Sequence, residues 1–137
     1  MLFSDKDYLI YKFIDGDFIV DYIKKFNKNQ IKKIIKTIFN QLHTLDKLKI
    51  DKEEMHRPLK HIIISDNKPY LIDFERTHYV RNPKNVTQFC QFLISGNFTN
   101  ILRNKDIYID KNEAIKLAKI YKKNQSFANF KKIMNML

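Results

Sequence analysis

Lys52-Glu53-Glu54-Met55-His56-Arg57-Pro58-Leu59-Lys60-His61-Ile62-Ile63-Ile64 and, a turn later, Tyr70-Leu71-Ile72-Asp73-Phe74-Glu75-Arg76 carry the reading of this chain. A polar, acidic loop runs into an apolar stretch. Ser65 closes that stretch, Asp66-Asn67-Lys68-Pro69 supplies turn chemistry, and a second apolar stretch ends on Asp73-Phe74. Two short β-branched and aromatic runs separated by turn formers predict a hairpin, 61–65 against 70–72, with a four-residue connection. Glu54 precedes the first strand and Asp73 follows the second, so the hairpin brings both carboxylates to one end. Their carboxyl groups are expected within about 10 Å, the scale of a shared metal and substrate site.

Outward from this hairpin, helical periodicity dominates. Ile31, Ile34, Ile35, Ile38, Phe39, Leu42, Leu45 and Leu48 recur at helical spacing, with lysines opposite, and predict one long core helix over 31–48. A strand is expected over 8–14, stopped by Asp15-Gly16-Asp17, and a short helix over 18–26. Pro58 discourages helix in the loop 49–60. Asn85 is the expected N-cap of a helix through Val86, Phe89, Cys90, Leu93 and Ile94 that ends near Gly96. Two more helices are expected, about 111–123 and 126–136. The predicted fold is a single α+β domain, mainly helical.

Composition narrows the function classes. A chain of 137 residues, 44% hydrophobic, supports one core. No run of about 18 apolar residues predicts a membrane-crossing helix. Acidic Asp5 and Asp7 stand where a signal peptide needs basic residues, and the single Cys90 admits no internal disulfide, so a cytoplasmic protein with no membrane partner is expected. The net charge of +11 attracts polyanions. Yet 22 Lys against 4 Arg, beside many Ile, Asn, Phe and Tyr, also follows from an AT-rich genome. Base readers favour Arg. A basic nucleic-acid-binding domain therefore ranks third among the functions considered.

The motifs Glu54 to Ile64, Leu71 to Arg76 and Pro83-Lys84-Asn85-Val86-Thr87-Gln88-Phe89 resemble those of small archaeal predicted serine/threonine protein kinases, an atypical, RIO-like branch of the protein kinase superfamily. The resemblance implies a kinase-like C-terminal lobe: hinge strand and linker at 1–16, helices at 17–49, the catalytic-loop and magnesium-loop hairpin at 50–76, and C-terminal helices at 85–137. It implies ATP-dependent phosphoryl transfer to protein Ser or Thr, with ATP and magnesium as cofactors. Glu54 stands at the catalytic acidic position, where the family has Asp, and Lys52 at that of the preceding His. Lys60 would neutralise phosphate charge. His61 falls on or near the position of the metal-binding Asn and, with Asp73 and Glu75, would line the nucleotide site. Asp73 and Glu75 would hold the metal.

Only seven residues precede the expected hinge strand, and no Gly-rich phosphate loop or strand lysine is found. The isolated chain is therefore expected to be inactive, with a separate N-lobe-supplying protein or self-association completing it. An exposed apolar surface is expected near residues 1–3, Phe13 and Ile14. The alternative is a pseudokinase-like protein-interaction module. Read without the resemblance, Asp73 is a turn former after a strand. His61 is then a half-buried strand residue, His43 and His78 structural or surface groups, and Cys90 core filler.

Overall fold

The structure, a computed structural model, describes residues 3–137. In chain order its elements are β1 (Phe3–Ser4), β2 (Leu9–Ile10), β3 (Asp17–Phe18), α1 (Ile19–Lys25), α2 (Lys28–Lys47), β4 (Ile50–Asp51), a 3-10 turn (Pro58–Lys60), β5 (Ile62–Ser65), β6 (Lys68–Leu71), β7 (His78–Tyr79), α3 (Asn85–Leu93), α4 (Gly96–Arg103), α5 (Lys111–Lys123) and α6 (Phe127–Asn135). The fold is α+β and mainly helical.

The long helix forms for the reasons its spacing gave. Asn27 and Gln30 close a reciprocal capping box at its start. Ile31, Ile34, Ile35, Ile38, Phe39 and Leu42 are all fully buried or nearly so. Each contributes roughly 1.5–3 kcal/mol relative to exposure. They meet Val86, Phe89, Cys90 and Leu93 of α3, and the core continues into Tyr121, Phe130 and Ile133. Cys90 is core filler, its thiol pushed up to about 12 by burial. At its C-terminal end the buried stripe departs from the expectation. It passes through His43 and Asp46, while Leu45 is half-buried and Leu48 exposed.

Among the described residues three small antiparallel sheets set the loops: β1–β2, β3–β5–β6 and β4–β7. The hairpin is tighter than expected. Ser65 pairs with Lys68, so the connection is Asp66-Asn67 alone, both at positive φ (49° and 57°). That is the backbone of a type I′ turn, whose twist suits two strands. Pro69 is accommodated because β6 is an edge strand. Gly16 is required where β3 begins, since a Cβ there would lie 2.3 Å from the Ile64 carbonyl oxygen.

Other expectations are corrected. The strand over 8–14 reduces to Leu9–Ile10. Pro58 opens a 3-10 turn rather than excluding one, because a first-turn proline loses no bonded N–H. Asn85 is the first residue of α3, and its cap is Lys84. Gly96 does not follow the last helix turn in isolation but starts α4, so three helices follow α3. Of the expected apolar surface, Phe13 is 84% exposed and Ile14 half-buried. Residues 1–2 lie outside the described residues. No helix among the described residues is long and apolar enough to cross a membrane.

A buried polar cluster crosses the helical layer. Tyr121 Oη donates to Asp46 Oδ2 at 3.0 Å and contacts His43 Nδ1 at 2.8 Å. Because the tyrosine proton goes to Asp46, His43 Nδ1 is the donor of the second bond. The His43 ring also stacks on Phe130 at 4.1 Å. Burial, then the nearby Lys47, holds the His43 pKa below its usual value. The unfolded chain, titrating near 6.5, thus binds more protons than the folded one below that pH. This stability is complete above about pH 6.5 and is lost as pH falls through the folded pKa. Burial raises the Asp46 pKa and acts with the opposite sign. The expected outcome is a larger loss of Tm from pH 7 to pH 5 in the native chain than in His43→Phe, which keeps the stacking. Equal losses in thermal melts would contradict it.

Candidate active site

The two carboxylates are placed by different ladders. In β4–β7, Ile50 pairs with Tyr79 and Asp51 with His78, which lays the loop after β4 beside the loop before β7. In β5–β6, Ile72 N donates to His61 O at 3.0 Å, so Asp73 emerges next to His61. Met55 is fully buried and its N–H donates to Gln88 Oε1 at 3.1 Å, which pins the loop just after Glu54.

At this end of the hairpin, His61 stands between Glu54 and Asp73. His61 Nε2 is 3.2 Å from Glu54 Oε2, and His61 Nδ1 is 3.9 Å from Asp73 Oδ2. With one imidazole ring separating them, the carboxyl groups lie within about 10 Å, the scale of a shared site. Arg76 Nη1 donates to Glu54 Oε1 at 2.8 Å. The backbone is strained here. Glu53, Glu54 and Asp73 all sit at positive φ (59°, 57° and 62°), a region that non-glycine residues seldom occupy. Such strain persists where surrounding contacts over-determine it, and it concentrates at functional sites.

Those contacts come largely from residues that the motif reading passed over or gave no role. Asn85 Oδ1 accepts from Lys52 N at 2.8 Å, and Asn85 Nδ2 donates to Ile50 O at 2.7 Å and to Asp46 Oδ1 at 2.8 Å. Asp51 accepts from Glu53 N at 2.8 Å and from Lys84 N at 3.0 Å. Lys52 is buried. Its Nζ donates to the Asp73 carbonyl oxygen at 2.7 Å and lies 4.8 Å from the Phe74 ring centroid. Burial lowers the Lys52 pKa, and the charges of Asp73 and Glu54 counter it. Lys52 thus ties the Glu54 loop to the Asp73 loop. One signal was available in the sequence: Asp46 falls on the apolar stripe of α2, four residues after Leu42.

The remaining sequence candidates are less gathered. Lys60 is exposed at the end of the 3-10 turn and makes no ion pair among the described residues. Glu75 is exposed and lines, with Asp73, Phe74, Ile72, Tyr70, Tyr11 and neighbours, a concavity of about 830 Å³. That is within the usual size range of small-molecule pockets. A different concavity, of about 740 Å³, lies along α2 and β6 away from Glu54 and Asp73. Asp73 offers a hard oxygen ligand, which suits magnesium supported by water and phosphate. Among the described residues no three His, Cys, Asp or Glu side chains are grouped to hold a metal ion by themselves.

Fold and site together define an α+β domain that gathers Glu54 and Asp73 around His61, with Asp73 also lining an aromatic-walled concavity. No protein-family model matches the chain. It is 31% identical over 115 residues to the uncharacterized protein MJ1211 of Methanocaldococcus jannaschii, an alignment covering 82% of this chain and 98% of that protein. The chain belongs to the same family as MJ1211.

Proposed function

We propose that this domain is the kinase-like half of a phosphoryl-transfer site, acting from ATP to a protein Ser or Thr hydroxyl. The observation that carries the reading is the convergence of Glu54 and Asp73, both on left-handed backbone, from two loops tied together by Lys52. Phosphoryl transfer asks mainly for positioning and charge, with little covalent help from protein. Glu54 would orient the attacking hydroxyl. Its oxygens contact Arg76 and His61, and a carboxylate has about four lone-pair sites, so it retains room for one more donor. Asp73 would hold the divalent cation, which when bound neutralises phosphate charge. The concavity lined by Tyr11, Tyr70, Ile72 and Phe74 would take the nucleobase.

The chain holds two glycines, Gly16 and Gly96, and neither lies in a Gly-rich phosphate loop. Transfer would therefore require a further polypeptide segment or partner to cover the phosphates, and this chain by itself is expected to show no detectable transfer. A second reading, a protein-interaction module, is favoured by the exposure of Phe13 (84%) and Tyr79 (83%) near the same loops. Amide chemical-shift mapping with Mg-ATP separates the two. Perturbations are expected at Tyr11, Leu71, Ile72, Asp73 and Phe74. Shifts confined to the lysine-rich outer face of α2, or none at all, would set phosphoryl transfer aside and leave the interaction module.

A further inference from the structure

We propose that Arg76, supported by Arg57 and Arg81, selects protein segments that carry an acidic or phosphorylated residue one or two positions from the acceptor Ser or Thr. The inference deepens the proposed phosphoryl-transfer reading and rests on it. Arg76 Nη1 donates to Glu54 Oε1 at 2.8 Å, while the Arg76 side chain is 71% exposed. A guanidinium presents five N–H donors in one rigid plane, so Glu54 takes one edge and leaves another open to solvent. Hydrogen bonds of about 2.9 Å on two edges of one guanidinium set its two oxygen partners about 7 Å apart. Two residues of extended chain span roughly 7 Å as well. An anion docked on the open edge of Arg76 therefore brings a hydroxyl one or two residues away to the carboxylate that would orient it.

Arginine is scarce in this chain and unevenly placed. Of the four, Arg57 lies on the loop after β4, Arg76 and Arg81 flank its partner strand β7, and Arg103 ends α4. A base composition that inflates lysine does not account for that placement. Arg57 N donates to Glu54 O at 2.9 Å, which keeps its main chain against the Glu54 turn. Arg57, Lys60 and Arg81 are exposed and make no ion pair among the described residues. The arginine fork pairs with carboxylate or phosphate oxygens two at a time, whereas lysine meets them as a point charge. The acids of the site are set apart from these cations. Asp73 and Glu75 line the concavity assigned to the nucleotide, and none of Arg57, Lys60, Arg76 and Arg81 does. The competing explanation is attraction of any polyanion by the net charge of +11, which would not depend on one arginine.

Binding rather than transfer tests this, because the chain by itself is expected to transfer nothing. Three peptides are titrated into the full chain and followed by amide chemical shifts. They share one Ser and differ only two positions to either side of it, where they carry Ala, Glu or phosphoserine. The Glu peptide is expected to bind at least about threefold, and the phosphoserine peptide at least about tenfold, more tightly than the Ala peptide, with shifts at Glu54 and Arg76. The stronger of the two names the natural anion. Arg76→Gln should bring all three peptides within about twofold of one another. Lys33→Gln with Lys36→Gln, on the outer face of α2, should leave the preference intact. No binding or no preference in the native chain would overturn the proposal. So would a preference that survives Arg76→Gln, or one lost equally in the α2 double variant, which would assign it to the general charge. Absence of the preference beside an intact Mg-ATP response at Asp73 would overturn this inference alone. A preference lodged on Arg76 with no Mg-ATP response would uphold the docking surface and overturn the phosphoryl-transfer reading instead.

Discussion

Asp46→Ala is expected to destabilise the domain by about 3–5 kcal/mol, since each buried donor left unmade costs about 1–3 kcal/mol before the structure relaxes. Asp46 is fully buried, and its two oxygens accept from Asn85 N, Asn85 Nδ2, Val86 N and Tyr121 Oη. Alanine orphans all four donors, and unmade buried bonds cost more than made ones contribute. Two of those donors are the first N–H groups of α3. A carboxylate from α2 thus caps a neighbouring helix and answers its positive end. Against a typical total of about 5–15 kcal/mol, this loss is a large fraction of the folding free energy.

The damage should reach the site. Asn85 would lose its anchor while bonded to Lys52 N and Ile50 O, and these set the loop that carries Glu54. Urea denaturation of the native chain, Asp46→Ala, Asn85→Ala and the double variant would measure the coupling. An interaction of about 1 kcal/mol or more is expected between contacting positions. A loss below about 1 kcal/mol in Asp46→Ala would show that the cluster does not hold the layer together.

The contrast between Ile31 and Asp46 shows what the sequence could and could not carry. The spacing of Ile31, Ile34, Ile35, Ile38, Phe39 and Leu42 predicted both the helix and its buried face, because side-chain burial at 3.6-residue period is local information. The same logic extended the stripe to Leu48, which is exposed, since the core turns toward α3 and α5 where His43 and Asp46 are buried. That turn depends on Tyr121, 75 residues away, and no local pattern reports it. Asn85 looked like a cap because its residue type favours caps. It is a cross-link instead, because its side chain meets Lys52 N, Ile50 O and Asp46 Oδ1. Pairing of Asp66-Asn67 as a two-residue turn was open to the sequence, but Pro69 drew the connection out to four residues. At the site, the hairpin pattern placed Asp73, whereas the β4–β7 ladder that sets the Glu54 loop and the part played by Lys52 required the folded chain.

Asp73→Ala is expected to remove nucleotide binding altogether. In the native chain the contacts that would hold Mg-ATP are the Asp73 carboxylate and the wall formed by Tyr11, Tyr70 and Phe74. With no Gly-rich loop to cradle the phosphates, affinity should be no tighter than about the millimolar range, roughly −4 kcal/mol. Removing the carboxylate takes away the ligand through which the metal fixes the phosphates. The fold should survive, because the Asp73 side chain is half exposed and the Lys52 contact is to its main-chain oxygen. Titration calorimetry of Mg-ATP into the native chain and Asp73→Ala, with matched circular dichroism, tests the claim that Glu54 and Asp73 face one nucleotide site. The account predicts weak, millimolar binding by the native chain and none by the variant. Equal binding by both proteins, or micromolar binding by the native chain, would contradict it.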